Sequence, residues 1–465
     1  MMPGNFIKMK LFNLYKISNY HIFFLGIIFF IINVYLKYPH INRDGLLYIN
    51  DAIVFSGDVF KFFDLYGLPF YSVILYYINN LFNDYTISSY IVNFLSYATL
   101  IIYISKISAL ITRKKDNLLF LSSSLILFST TRLMSDYLGL TIRDYLGWSF
   151  LIVSFYHMLI YFEYGKYKNL LYFIISIFIS CLFRIEYIFL LITVFIYIFF
   201  LNNKKRINSI SYKFFFVILF LLLILLFIYI SPRSKELVVH LNKIFEQLSL
   251  NSFIFFIDPI ILISKNLISL FLPLILLSAI NIKGFFHKNF NFNYLIFSCL
   301  YCCPLILLNY FYYLNTQITS TRYFIPILLL LMPIFTINIF NAINLSNKFH
   351  RFIFYLIIFI LIAININKNY QYKNTAILDF KKYIEKNNIQ INQIYFEDNR
   401  LNYYYGNVDI HHKEFNNTVF CNSRFTFFLI DSDQQSQIKS NKNFTIIYDP
   451  LIHKKYSFIK KEYGC

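Results

Sequence analysis

Four short clusters hold the residues of this 465-residue chain whose types and spacing suit chemistry. They are Asn42-Arg43-Asp44-Gly45-Leu46-Leu47-Tyr48, then Ser135-Asp136-Tyr137 through Thr141-Ile142-Arg143-Asp144-Tyr145, then Arg184-Ile185-Glu186, and last Thr321-Arg322-Tyr323-Phe324-Ile325-Pro326. Arginines grip a phosphate through forked, charge-assisted hydrogen bonds. A carboxylate beside them takes a proton from a hydroxyl or amine nucleophile. Together the two residue types suit a substrate that carries a phosphate and meets a reactive hydroxyl or amine, as a lipid-linked phosphosugar does. Each cluster also has a plain structural reading, in which Arg143-Asp144 and Arg184/Glu186 are ion pairs that pin helix ends. Asp51, Asp58, Asp64 and Asp84 are read as solvated loop carboxylates. Asp44 differs because it follows the first apolar run closely, in a His-Ile-Asn-Arg-Asp-Gly stretch that holds it near a bilayer surface.

The elements that must position these residues are membrane helices. Apolar side chains make up 58% of the chain and charged ones only 14%, against about a quarter charged in ordinary globular domains. A soluble enzyme is excluded, and so is disorder, because long apolar runs recur at roughly 20–37, 86–111, 118–133, 145–162, 169–183, 186–201, 212–231, 260–280, 293–312, 323–341 and 352–367. A run of about 20 such residues spans a bilayer, so about eleven transmembrane helices are expected. The high Phe and Tyr counts follow from this lining and from composition bias, and identify no ligand.

The net charge of +19 would point to nucleic acid in a soluble domain, but its placement is topogenic. The N-terminal tail and alternate loops (Arg113-Lys114-Lys115, Lys166/Lys168, Lys204-Lys205-Arg206 with Lys213, Lys283/Lys288, Lys348/Arg351) carry 16 basic residues against two acidic ones. That side is cytoplasmic. The opposite loops hold 10 basic and 11 acidic residues. No topogenic excess explains those charges, which makes them functional candidates. The chain is therefore expected in the cell (inner) membrane as a multi-pass protein, with a cytoplasmic N-terminus and an extracytoplasmic C-terminus.

Residues 1–367 form the expected transmembrane domain, with a long first extracytoplasmic loop at 38–85. The first run leads into Lys37-Tyr38-Pro39 without a small-residue cleavage site and is read as a retained helix. Within the loop, 70–82 is too short to cross and is read as an interfacial helix. A second surface-lying amphipathic stretch is expected in 232–259. From 368 to 465 the composition turns polar, with a helical pattern at 376–386 and strand patterns at 394–396, 425–430 and 444–448, so a small soluble extracytoplasmic α/β domain is expected. Its carboxylates are scattered and His411-His412 are adjacent, pointing to opposite faces of a strand, so it is assigned docking or stability and no catalytic group. Four cysteines (Cys181, Cys299, Cys302, Cys303) fall in or at the ends of spans, where a free Cys acts as a small apolar residue. Cys421 and Cys465 lie in the tail, where sequence leaves both pairing and free thiols open.

Taken in order and spacing, Arg43-Asp44-Gly-Leu-Leu-Tyr48 after the first helix, Ile142-Arg143-Asp144-Tyr after the third, Phe183-Arg184-Ile185-Glu186 and Thr321-Arg322-Tyr323-Phe-Ile-Pro326 resemble the bacterial GT-C glycosyltransferases. The nearest likeness is to the family related to protein O-mannosyltransferases and lipid A aminoarabinose transferases, and it extends to Asn402-Tyr403-Tyr404-Tyr405-Gly406 in the tail. The resemblance implies a GT-C-like fold and an inverting transferase that uses a polyprenyl-phosphate sugar as donor. The acceptor would be an extracytoplasmic lipid, polysaccharide or protein of the cell envelope. It implies Asp44 as the base toward the acceptor and Asp144 as a second acid of the same cavity. It further implies Arg43, Tyr48, Asp136, Arg143, Arg184, Glu186, Arg322 and Tyr323 as substrate-binding positions. Asp44-Gly45 stands where the family commonly has Asp-Glu, which counts against any role needing two adjacent carboxylates, metal binding there included; a divalent metal stays open but unsupported, and no cofactor is assigned. Two alternatives remain open. A polysaccharide polymerase or ligase usually places its key arginines in a large late loop, whereas the conspicuous clusters here are early. A lipid-linked sugar flippase favours paired halves, and no half-to-half correspondence is visible.

The charge asymmetry makes the topology testable by cysteine-accessibility labelling. Positions near Lys204 should label only from the cytoplasm, and positions near Asp58 and Asn416 only from outside. Labelling of both sets from one side would dissolve the grouping of the four clusters.

Overall fold

The computed structural model describes residues 19–37, 42–65, 69–113, 117–131, 137–188, 190, 193, 253–279, 292–316, 321–343, 348–371, 383–390, 393–396, 426–431, 444–448 and 456–461. The chain is mostly helical and divides into two compact units. The first comprises residues 1–35, 90–138 and 143–369. Its helices are α1 (Asn19–Lys37), then, after two helices of the second unit, α4 (Tyr85–Thr112, beginning in that unit), α5 (Asn117–Thr130), α6 (Asp144–Tyr164), α7 (Tyr167–Phe183), α8 (Phe253–Ala279), α9 (Phe292–Thr316), α10 (Ile325–Ile343) and α11 (Lys348–Gln371). Five segments, in α4, α6, α8, α9 and the stretch Thr321–Ile343, are long and apolar enough to cross a membrane. Of the expected spans, the sixth lies largely and the seventh wholly outside the described residues, as do residues 232–252 of the amphipathic loop expected at 232–259.

Around its apolar core this unit exposes large apolar side chains and buries polar ones. Phe359 of α11 is 70% exposed and Ile268 of α8 61%, while Asn33, Asn93 and Thr336 are fully buried. This is the pattern of a membrane-embedded helical protein. Lipid tails are as apolar as leucine, so helices associate through small residues and polar contacts. The α5–α10 contact carries such contacts: Ser124 Oγ lies 3.5 Å from Thr336 Oγ1. Beside it, Ser108 of α4 donates to the Pro333 carbonyl at 3.4 Å. Gly26 of α1 sits so close to Leu125 that an added Cβ would fall 2.4 Å from its Cδ2.

The α6–α7 pair is the tightest packing that bears on the candidate site. Gly165, at φ +68°, ends α6 with its N–H on the Tyr161 carbonyl, and the chain reverses at once into α7. Ser180 Oγ donates to the Gly147 carbonyl at 2.8 Å. A Cβ at Gly147 would stand 2.9 Å from Tyr187 Cε2 and 3.4 Å from Phe183 Cβ. Trp148, fully buried, fills the neighbouring space with Tyr145 edge-on at 5.1 Å.

The second unit comprises residues 36–89, 139–142 and 370–465. Helix α2 (Arg43–Phe55) was not expected from the sequence. It buries Leu46, Ile49, Ala52 and Phe55 at helical spacing and stops where Ser56 and Gly57 take positive φ. Helix α3 (Phe70–Phe82) has the bounds expected of the interfacial helix. The two pack through edge-on rings, Tyr48 on Tyr71 at 5.2 Å and Phe55 on Tyr76 at 5.5 Å. This corrects the solvated-loop assignment of Asp51, which is buried at 7% exposure because it lies among the core-facing residues of α2. Asp58 is exposed and caps a short 3-10 turn, and Asp84 accepts from the N–H groups of Thr86 and Ile87 at 2.7 and 3.0 Å, capping α4. The side chain of Asp64 lies outside the described residues.

In the tail, residues 383–386 are helical, and four strands form one sheet in the order β1-β2-β4-β3: β1 (Ile394–Phe396), β2 (Phe427–Asp431), β3 (Phe444–Tyr448) and β4 (Tyr456–Lys461). The β1–β2 pair is parallel and β4 pairs antiparallel with both β2 and β3. Strand β4 was missing from the sequence reading because Lys460-Lys461 mask its pattern. Yet its Phe458 is fully buried, stacked on Phe427 at 5.6 Å.

Replacing Gly147 with valine should wedge α6 from α7. Overpacking of this kind costs about 1–3 kcal/mol, so the detergent-solubilised Gly147→Val protein should unfold at a lower temperature than wild type. An unchanged melting temperature would contradict the close packing.

Candidate functional site

At the end of the α6–α7 hairpin distant from Gly165, the chain places a charge from each helix. Asp144 is the first residue of α6, where a carboxylate also meets the positive end of the helix dipole. Arg184 terminates α7: its backbone turns extended and its N–H still reaches the Ser180 carbonyl at 3.0 Å. A 3-10 turn (Ile185–Ile188) follows and carries Glu186. Because α6 and α7 are antiparallel neighbours, the start of one and the end of the other meet.

Arg184 Nε donates to Asp144 Oδ1 at 2.8 Å and Nη2 lies 2.5 Å from the same oxygen. Arg184 Nη1 donates to Glu186 Oε1 at 3.3 Å. From the 3-10 turn Thr321–Phe324 that leads into α10, Arg322 brings Nη1 to 4.0 Å from Asp144 Oδ2. Asp144 is 2% exposed, against 11% for Arg184 and 19% for Arg322. The carboxylate is thus the buried foot of the cluster and the guanidinium groups form its more open rim. Tyr323 lies under both rims, its ring centroid 5.5 Å from Arg184 Cζ and 5.7 Å from Arg322 Cζ, which is cation–π range. Tyr137 OH, 3.0 Å from Thr321 Oγ1, ties the turn to the start of α6.

These groups line one cleft with Tyr187, Asn309, Leu305, Leu308 and Pro326. Five of the residues singled out in the sequence, Asp144, Arg184, Glu186, Arg322 and Tyr323, are therefore brought together. Arg143 immediately precedes Asp144 as the N-cap residue of α6. Asp136 lies outside the described residues, and Arg43 opens α2 with its side chain likewise outside them. Asp44 and Tyr48 are placed in the second unit, Asp44 half-buried in the first turn of α2 and Tyr48 in the α2–α3 core. The sequence reading overlooked Asn309 and Tyr187. A lone Asn in the apolar run of α9 is a costly choice at membrane depth and was a usable signal; Tyr187 offered none among so many tyrosines.

The glycine after Asp44 has a steric cause. Asn42 Oδ1 accepts from the Thr141 N–H at 3.0 Å, drawing the segment 139–142 against the first turn of α2. A Cβ at Gly45 would fall 2.6 Å from Thr141 Cβ and 2.9 Å from its carbonyl oxygen. A second carboxylate beside Asp44 does not fit. Among the described residues no group of three or more His, Cys, Asp or Glu side chains is placed to hold a metal ion.

Chemically, the cluster offers two guanidinium groups set side by side at the mouth of a cleft. Arg184 is hydrogen-bonded to the buried carboxylate, Arg322 stands 4.0 Å from it, and one aromatic ring lies against both, an arrangement suited to an anion with several oxygens. No protein-family model matches the chain, and no curated protein matches it.

Removing one partner of a buried ion pair leaves an uncompensated charge and costs about 3–5 kcal/mol, whereas replacing both by apolar residues is often close to neutral. Asp144→Leu should therefore destabilise the protein strongly in a reversible detergent-denaturation assay, and Asp144→Leu/Arg184→Leu should recover a large part of the loss. Equal losses in single and double variants would show that the pair is not coupled.

Proposed function

We propose that this chain is an integral-membrane glycosyltransferase that moves a sugar from a polyprenyl monophosphate to an extracytoplasmic acceptor. The observation that carries the proposal is the Arg184–Asp144–Arg322 cluster over Tyr323, an anion-binding rim at the ends of apolar helices. A lipid-linked phosphate carries its charge at the membrane surface and its tail in the bilayer. The resemblance to GT-C transferases in the order and spacing of the four clusters supports the same class. In this proposal the eleven-helix domain of residues 1–367 and an extracytoplasmic tail domain, residues 368–465, are retained.

The reaction joins an acceptor hydroxyl or amine to the anomeric carbon. Asp44 takes the proton of the acceptor group as its oxygen or nitrogen attacks C1 from the face opposite the phosphate. The C1–O bond breaks with its electron pair going to the phosphate oxygen, and the sugar is inverted. Negative charge grows on the departing polyprenyl phosphate, and Arg184 and Arg322 stabilise it there. Asp144, buried and turned toward the arginines, acts as a positioning residue that fixes their forks. Glu186 restrains Arg184 from the other side. Arg43, Arg143 and Asp136 complete the substrate-binding set, with Tyr48 supporting it from the α2–α3 core.

The test is transfer from a purified polyprenyl-phosphate sugar to envelope lipid by the reconstituted protein. Asp44→Asn keeps shape and removes the base, so turnover should fall by about a hundredfold or more, with insertion and melting behaviour unchanged. Arg184→Lys and Arg322→Lys should both stay impaired because a lysine keeps the charge without the planar fork. Full turnover by Asp44→Asn at saturating donor would overturn the assignment of the base. Restored activity in Arg184→Glu/Glu186→Arg would reduce Arg184 to a structural pair.

A further inference from the structure

Lys106, Tyr103, Tyr156, His157, Lys168 and Tyr172 form a second cluster in the first unit, at the opposite ends of α4, α6 and α7 from the start of α6. At 1.5 Å per residue, Lys106 lies about 9 Å inside the end of α4, His157 about 10 Å inside the end of α6, and Tyr172 about 8 Å inside the start of α7. The three helices thus bring these groups into contact. The rings interlock: Tyr103 meets Tyr156 edge-on at 5.3 Å, and His157 lies 5.2 Å from Tyr156 and 5.0 Å from Tyr172. His157 Nδ1 is held 3.2 Å from Asn169 Oδ1 at the start of α7.

Lys106 is exposed, and its ammonium stands 4.5 Å from the Tyr103 ring centroid and 5.7 Å from that of Tyr156. Lys168, also exposed, reaches the Tyr172 ring at 5.5 Å. A lysine in a span usually snorkels toward the nearer surface. Lys106 instead lies over a ring one turn deeper. Among the described residues no carboxylate comes within ion-pair distance of either lysine, and the nearby Glu163 faces Arg113 at 3.7 Å. The groove is bordered by the exposed Leu171 and Tyr172 of α7, an apolar wall beside the cations.

Two exposed lysines over tyrosine rings, with the apolar surface of α7 alongside, match one occupant: an acidic phospholipid, with its phosphate on the lysines and its chains against α7. We infer that the groove between α4, α6 and α7 is a binding site for an anionic phospholipid headgroup. Basic pockets between membrane helices bind such headgroups. The site is independent of the transferase reading, since it shares no residue with the Arg184 cleft.

The experiment uses the full-length protein in phosphatidylcholine bilayers doped with spin-labelled phosphatidylglycerol, and measures the preference of the immobilised lipid fraction for the acidic lipid. Each lysine near an anionic surface contributes about fivefold in affinity, so Lys106→Gln/Lys168→Gln should lose most of the preference. Lys106→Arg/Lys168→Arg, which keeps both charges, should retain it and controls for folding. Inorganic phosphate and polyprenyl phosphate, added separately, should leave the preference unchanged. Wild-type preference in the glutamine variant would overturn the site. Displacement by free phosphate would identify a soluble anion site instead, and displacement by polyprenyl phosphate would make it a second substrate-lipid site; either result overturns the phospholipid assignment.

Discussion

A guanidinium held on a carboxylate at the mouth of two antiparallel helices is the constraint around which the cleft is organised. Asp144 is buried at the first turn of α6 and cannot be left as a lone charge, so Arg184 must arrive where α7 ends and Arg322 must approach from the turn before α10. That requirement sets the close approach at Gly147, the Ser180–Gly147 hydrogen bond and the abrupt extended turn at Arg184. Arg184 and Arg322 thereby both line the cleft. In the proposed function such a site is preorganised, because folding already aligns the guanidinium groups.

The surrounding bundle obeys the economics of a lipid solvent. Its helices expose many Phe and Ile side chains while burying Ser, Thr and Asn among the apolar core residues, since burial of apolar surface gives little advantage where the solvent is itself apolar. Serines 122, 123 and 124 of α5 are all buried.

Much of this was legible in the sequence because membrane helices announce themselves by length and hydropathy, and because ionisable residues near bilayer depth are few. Asp144, Arg184, Glu186, Arg322 and Tyr323 stood out for that reason, and the structure gathers them although up to 179 positions separate them in the chain. Helix α2 was not legible: Gly45, Asn50 and Asp51 interrupt its pattern, and its core face includes a carboxylate. Nor was β4, half of whose residues are polar and whose place in the sheet is decided by pairing with two partners. The glycine beside Asp44 read only as a departure from a family pattern until the approach of Thr141 gave it a physical cause.

The claim that the cleft serves sugar transfer from a lipid phosphate is tested most directly in cells, by mass spectrometry of envelope glycolipids and glycans with and without the gene. Loss of one sugar from a defined acceptor, together with accumulation of its polyprenyl-phosphate donor, is the result the account predicts. An unchanged glycan profile with an unchanged donor pool would contradict it.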